Sequence, residues 1–360
     1  MLEINIKKTL PGFQLDIDLS VNREIISMLG PSGSGKTMTL LSIAGLLKPD
    51  QGIICLNGCT LFSSQDNIFL PPQKRKIGFV FQNYALFPHM TVADNIAYGM
   101  QGKPKEQIKK RVDDLLEIIH IPALKNRYPF ELSSGQQQRV ALARAIAPEP
   151  EALLLDEPFS ALDTFRKERL EFELLTLQQY YLGDILFVTH DLTQGFKLGT
   201  RLAIYDNGRI VQCDNREEVI SSPVNRTAAR LTGVKNLFDG IVTGSDNHSA
   251  IIYIPEFGTS LKTTDYSAAK LYVDQMVVLG IRPEHIEIFE EPTENTIPCR
   301  EGHQVVGVTN IHYYYYAERD NNKRYHLESC RPRPLLPPCF EAGKPCYLYF
   351  PPERIITLVN

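Results

Sequence analysis

Gly30, Pro31, Ser32, Gly33, Ser34, Gly35, Lys36 and Thr37 read "GPSGSGKT" and fit the G-x-x-x-x-G-K-[ST] spacing, after an apolar run and before the helical pattern "TMTLLSIAGLL". Glycines let such a loop wrap phosphates with backbone N–H groups. The lysine then reaches the β- and γ-phosphates and the threonine hydroxyl is placed to hold Mg²⁺. Hydrolysis needs a metal carboxylate and a water-polarising group as well. "ALLLDEP" (152–158) supplies both: a hydrophobic strand delivers Asp156, suited to Mg²⁺, and then Glu157, suited to orienting the attacking water. Gln82 follows "KIGFVF" and His190 follows "ILFVT". In a parallel sheet these side chains emerge with Lys36 at the carboxyl ends of the strands, where ligands bind in open α/β folds, so Gln82 and His190 are candidates for sensing the γ-phosphate or completing the metal shell.

A second stretch also suits an anion. "ELSSGQQQRVALARA" (131–145) opens on serines and a glycine and continues as a helix, so it offers free N–H groups at the positive end of a helix dipole. The same residues are good N-cap chemistry. One chain thus carries two phosphate cradles about a hundred residues apart.

Strands and helices must position these groups. The runs at 24–30, 76–82, 152–158 and 184–191 are apolar, end in polar or glycine-rich sequence and alternate with helical patterns, as in a βαβ architecture with a buried parallel sheet. In 104–121, Ile108, Val112, Leu115, Leu116 and Ile119 fall on one helical face opposite charges. From about Val234 helical periodicity fades and short β-rich runs such as "QMVVLGI" and "CYLYF" appear, which predicts a small all-β module. "HYYYYAE" (312–318) reads as a strand with tyrosines alternating between faces, and "RPRPLLPP" (331–338) as a rigid loop. The domains are therefore expected at 1–234 and 235–360, a division that suits a length of 360 residues.

Composition narrows the function. An apolar share of 43% with 22% charged residues is ordinary for a globular protein. A formal charge of −4 speaks against bulk nucleic-acid binding. No stretch approaches the roughly 18 unbroken apolar residues of a membrane span, and "MLEINIKKTLPGF" lacks the apolar centre of a signal peptide, which points to the cytosol. The seven cysteines are scattered without a CxxC pair, which predicts thiols and no metal site.

The order "GPSGSGKT", "FQN", "LSSGQQQR", "LLLDEP", "SALD", "THD" resembles the Walker A, Q-loop, signature, Walker B, D-loop and H-switch of ABC-type ATPases across nearly all of 1–234. "GIRPEH" and the stretch "PPQKRKIGFVFQNYALFPHMTVADNIAYGM" (71–100) look like importer ATPases with a C-terminal TOBE-type regulatory domain, the molybdate/sulfate importers above all. The resemblance implies an α/β P-loop NTPase with a helical subdomain, followed by a small all-β, OB-like regulatory domain. It implies ATP and Mg²⁺ as cofactors, with Thr37, Gln82 and Asp156 at the metal. It also implies a head-to-tail homodimer, in which Ser133, Ser134, Gly135 and Gln136 cap the γ-phosphate held by the partner's loop. Asp163 would then sit at the dimer seam and Phe13 would be the candidate for stacking on adenine.

A transport role further requires separate integral membrane permease subunits, an external substrate-binding protein acting indirectly, and a place at the cytoplasmic face of the membrane. Leu86, Phe87 and Pro88 are the candidate docking patch, the alternative being closure of the domain's own core. Residues 235–360 are candidates either for binding an oxyanion such as molybdate or for holding two protomers together. Ser134 stands where the family commonly has glycine, which predicts a somewhat restricted loop. Importers of iron, sugar or polyamine, and soluble non-transport ABC ATPases, are the alternatives; the latter usually carry coiled-coil insertions or tandem halves that this chain lacks.

Overall fold

The computed structural model describes residues 1–159, 171, 181, 183–246, 248–264, 271–317, 327–333 and 342–359. These fall into two compact units, Met1–Glu217 and Glu218–Asn360. The segment from Glu218 to Val234, which the periodicity groups with the first domain, packs within the second unit. Arg282 Nη2 donates to Ile220 O at 2.7 Å and Thr232 O at 3.0 Å, and Ala229 and Val234 bury against Val278 and Leu358.

The first unit is built on eleven strands: β1 (Leu2–Leu10), β2 (Phe13–Val21), β3 (Ile25–Leu29), β4 (Gln51–Leu56), β5 (Cys59–Ser63), β6 (Ile68–Phe69), β7 (Ile77–Val80), β8 (Ala152–Asp156), β9 (Asp184–Val188), β10 (Arg201–Asp206) and β11 (Arg209–Asn215). Their order is β6-β5-β4-β1-β2-β11-β10-β3-β9-β8-β7. The run β10-β3-β9-β8-β7 is parallel. In it, β3, β8 and β9 are buried at every residue, which is why they read as unbroken apolar runs. The hairpin β1–β2 instead alternates. Leu2, Ile4 and Ile6 pair with Val21, Leu19 and Ile17 on the core face, and intervening residues such as Glu3 and Asn5 face solvent.

Five helices matter to the site: α1 (Lys36–Ala44), α2 (Val92–Ala97), α3 (Lys105–Ile118), α4 (Ser134–Ile146) and α5 (Leu192–Leu198). The α3 face predicted as core is core: Val112, Leu115, Leu116 and Ile119 are buried with Val92, Ile96, Val140 and Ala143, and Ile108 packs against them. No helix among the described residues is long and apolar enough to cross a membrane.

Among the described residues the second unit has ten strands, all paired antiparallel: β12 (Asn236–Ser245), β13 (Ala250–Ile254), β14 (Thr259–Thr263), β15 (Met276–Ile281), β16 (Glu287–Phe289), β17 (Thr296–Val306), β18 (Asn310–Ala317), β19 (Leu327–Pro332), β20 (Pro345–Tyr349) and β21 (Ile356–Val359). They form two five-stranded sheets, β14-β13-β12-β15-β21 and β16-β20-β17-β18-β19. One core draws on both sheets, with Phe238, Ile252 and Leu279 from the first and Ile297, Ile311 and Leu348 from the second. Tyrosines in β18 alternate as the sequence predicts: Tyr313 and Tyr315 are buried, Tyr314 and Tyr316 partly exposed.

Candidate nucleotide site

The register of the parallel strands brings the polar groups to one edge. Met28 and Asp156 both lie beside Val188, and Val80 lies beside Leu155. The segments that continue past these ends hold the loop 30–37, Gln82, Asp156 with Glu157, and Thr189 with His190.

The loop is held in a conformation that its glycines permit. Gly33 (φ 79°) and Gly35 (φ 104°) are left-handed, and Gly35 is the N-cap of α1. A Cβ on Gly30 would stand 2.6 Å from Tyr205 O and 2.8 Å from Ser34 Oγ, so no side chain fits there. Lys36, 7% exposed, donates from Nζ to Gly30 O at 2.8 Å, Pro31 O at 2.9 Å and Ser34 Oγ at 3.3 Å. Burial pushes its ammonium below the usual lysine range, against the pull of Glu157 and Asp156. The cation is thus folded back on its own loop, and among the described residues no carboxylate forms an ion pair with it, a condition that a bound phosphate would relieve.

Thr37 Oγ1 donates to Asp156 Oδ1 at 3.1 Å. Burial raises the Asp156 carboxyl above its ordinary range, Thr37 lowers it and Glu157 raises it further. Hydroxyl and carboxylate oxygens side by side are the hard donor set that suits Mg²⁺. Glu157 turns away through a left-handed backbone (φ 43°), its N–H donating to Val188 O at 3.1 Å. Its Oε2 lies 3.5 Å from His190 Nδ1. That one backbone angle lets neighbouring carboxylates face different partners.

His190 sits in a braced turn. Asp191 Oδ1 accepts from the N–H groups of Thr193 (2.9 Å) and Gln194 (3.3 Å) at the start of α5, and Thr189 Oγ1 donates to Gln194 Oε1 at 2.8 Å. Gln82 is exposed, two residues past β7. Of the predicted docking patch, Leu86 packs against the helical core, Phe87 is half-buried against Tyr98 (ring centroids 4.4 Å apart), and only Pro88 is exposed.

At the second cradle Ser133 caps α4 in a capping box: its Oγ accepts from Gln136 N–H at 3.4 Å, and Gln136 Oε1 accepts from Ser133 N–H at 2.9 Å. Ser134 is the first residue of α4 and takes no positive φ, so in the single chain its backbone is one that a side chain adopts without strain. No hydrogen bond joins Ser133, Ser134, Gly135 or Gln136 to the loop 30–37 among the described residues. Asp163 lies outside the described residues.

Phe13 lies against the loop: its Cζ would be 3.2 Å from a Cβ on Gly35 and 3.1 Å from one on Gly208. Sequence reasoning missed Gly208 and Tyr205, which back the loop; Gly208 N–H donates to Ser34 O at 3.1 Å. The signal was the "DNG" turn at 206–208, where Asn207 and Gly208 take φ 44° and 80°.

A phosphate loop at the edge of a parallel sheet, with a metal-suited carboxylate and a second carboxylate beside it, defines a P-loop nucleotide hydrolase. The ABC transporter family model matches residues 15–160. The chain is 39% identical over 303 residues to the spermidine/putrescine import ATP-binding protein PotA of Nitrosospira multiformis, covering 82% of this chain and 81% of the relative. It is 36% identical over 313 residues to the molybdate/tungstate import ATP-binding protein WtpC of Pyrococcus abyssi, covering 85% of each. Among solved structures, the ATP-binding cassette MJ0796, described as dimeric in a post-hydrolysis state bound to ADP and Pi, superposes with a TM-score of 0.52 at 28% identity over 60% of this chain and 99% of that one. The chain belongs to the ATP-binding subunits of ABC transporters, of the importer type, an ATPase family.

Proposed function

We propose that the chain is the ATP-hydrolysing motor of an importer, acting as a nucleotide-sandwich homodimer beneath a separate membrane permease, at the cytoplasmic face. The observation that carries this is the edge at which Lys36, the Thr37–Asp156 bond and the Glu157–His190 contact stand together. In this reading the Lys36 ammonium exchanges its carbonyl partners for β- and γ-phosphate oxygens. Glu157 orients the water that attacks the γ-phosphorus and takes its proton, the bond to the β-phosphate oxygen breaks, and ADP leaves. His190 holds the far side of Glu157 and the γ-phosphate. Thr37, Asp156 and Gln82 would hold Mg²⁺, which neutralises phosphate charge. Phe13, beside the loop, would meet the adenine. Ser133, Ser134, Gly135 and Gln136 present a helix start whose N–H groups favour negative charge, and the partner's γ-phosphate supplies it.

For cargo, the relative at 39% identity is named for spermidine and putrescine import, which favours a polyamine. The oxyanion reading rests on the relative at 36%, named for molybdate and tungstate. Specificity lies mainly with the permease and an external binding protein. Uptake of labelled spermidine, putrescine, molybdate and sulfate by cells carrying the natural chain or Lys36→Ala tests it: one solute should lose energised uptake in the variant. Unchanged uptake of all four would reject both cargo readings.

A further inference from the structure

Between Gln82 and α2 the chain passes through two consecutive left-handed residues, Tyr84 (φ 61°) and Ala85 (φ 43°), neither of them glycine. Left-handed backbone costs a residue with a Cβ about 1–2 kcal/mol, so this kink needs an external hold. Among the described residues one side chain reaches both of its carbonyls. Arg144 Nη2 donates to Tyr84 O and Nη1 to Ala85 O, each at 2.7 Å. Its guanidinium also lies over the Phe87 ring, 5.4 Å from the centroid.

The fork geometry of arginine suits two adjacent carbonyls in a way that a lysine point charge does not. Burial pushes the guanidinium below its ordinary range, a cost accepted for bonds to main-chain carbonyls. The next part of the segment has a different anchor. Asn95 of α2 donates from Nδ2 to Phe87 O, Met90 O and Thr91 O at 3.0–3.1 Å, and its Oδ1 accepts from Phe87 N–H at 2.9 Å. Residues 87–91 are therefore fixed to α2, whereas the kink directly after Gln82 is fixed to α4. Arg144 stands in the last turn of α4, whose first residue is Ser134, about 15 Å away along the helix axis at 1.5 Å per residue.

We propose that Arg144 is a positioning residue that sets Gln82 through the carbonyls of Tyr84 and Ala85, and ties that setting to the helix that begins at the second phosphate cradle. The inference rests on the reading of Gln82 as a group that meets metal and γ-phosphate. Through α4, a helix start that contacts one nucleotide is rigidly connected to the glutamine that attends the other.

The test is a double-mutant cycle on the full chain, reading steady-state ATP hydrolysis with Arg144→Met, Gln82→Ala and both together. Arg144→Met should lower kcat roughly tenfold, as a misplaced catalytic group does, with KM for ATP little changed. In the Gln82→Ala background the same substitution should cost nothing further. Ala85→Gly, at ease in left-handed backbone, should recover part of the Arg144→Met loss, which a general loss of packing would not allow. If Arg144→Met fails to fold, Arg144→Lys takes its place in the cycle. Full kcat in the arginine variant, or losses that multiply in the double variant, overturns the inference alone. A Gln82→Ala chain hydrolysing at the parental rate overturns the reading of Gln82 and the inference with it.

Discussion

Two neighbouring carboxylates face different partners because one backbone angle separates them. Asp156 ends a fully buried strand and accepts from Thr37, whereas Glu157, left-handed at φ 43°, is half-buried beside His190. Glu157→Gln keeps the shape and removes the proposed base. We expect it to bind ATP, lose turnover and accumulate as a dimer by size exclusion with ATP present; hydrolysis at the parental rate would refute the assignment. Asp156 makes a prediction of a different kind. A carboxyl whose proton affinity rises on folding binds more protons folded than unfolded, so stability is lost as pH climbs through that range. At neutral pH the buried charge is therefore a cost in the nucleotide-free protein. Asp156→Asn should raise its melting temperature by about 2–4 °C, the shift expected for roughly 1 kcal/mol, while abolishing Mg²⁺-dependent turnover. Calorimetry across pH 4 to 8 checks the sign, since the gain should shrink as the pH falls. The residue types of this edge were legible in the sequence from motif spacing. The left-handed turn at Glu157 and the bonds of Lys36 to its own loop were not, because both are settled by neighbours distant in sequence.

At the scale of elements, the phosphate loop depends on α1, and α1 depends on a residue that no motif marks. Arg75 is 1% exposed; it donates from Nη1 to Ser42 O (2.9 Å) and Ile43 O (2.8 Å) at the end of α1, and from Nε to Leu70 O (2.8 Å). Burial pulls its guanidinium down to about 10. Arg75→Met leaves those carbonyls without their donor and should cost about 2–3 kcal/mol of stability, seen as a lower denaturation midpoint with ATP affinity nearly retained once folded. Gly45, left-handed at φ 80°, gives way to this side chain: a Cβ there would lie 2.4 Å from Arg75 Nε. The parallel strands and α3 were readable because period and burial agree. The docking patch was only half readable, since periodicity cannot show that Leu86 turns into the helical core while Pro88 stays outside. Phe87→Ala should weaken assembly with the permease while leaving nucleotide binding intact. A lowered melting temperature with unchanged assembly would return Phe87 to the domain's own packing.

For the whole molecule, the short helices after Glu217 read in the sequence as a continuation of the first domain, whereas their apolar residues are covered by β15 and β21. The second unit buries its own core, so the oxyanion binding expected of it can be assayed apart from catalysis. Titrating the full chain with molybdate, tungstate and sulfate tests that expectation, and absence of heat with all three would remove oxyanion binding as the role of this unit. The proposed dimer is open to a stricter test, because in that reading each reaction centre is assembled from two chains that contribute different parts. Lys36→Ala removes the phosphate lysine, and Gly135→Asp sets a negative charge at the helix start where the partner's γ-phosphate should lie. Each variant alone should be inactive, since both of its composite sites carry the same lesion. A mixed dimer instead joins the intact loop of the Gly135→Asp chain to the intact helix start of the Lys36→Ala chain, so one of its two centres is whole. Mixing the two inactive proteins should therefore restore part of the ATPase activity, and dilution should remove it again as the dimer dissociates. A mixture that stays inactive although cross-linking shows mixed dimers would mean that α4 does not complete its neighbour's site.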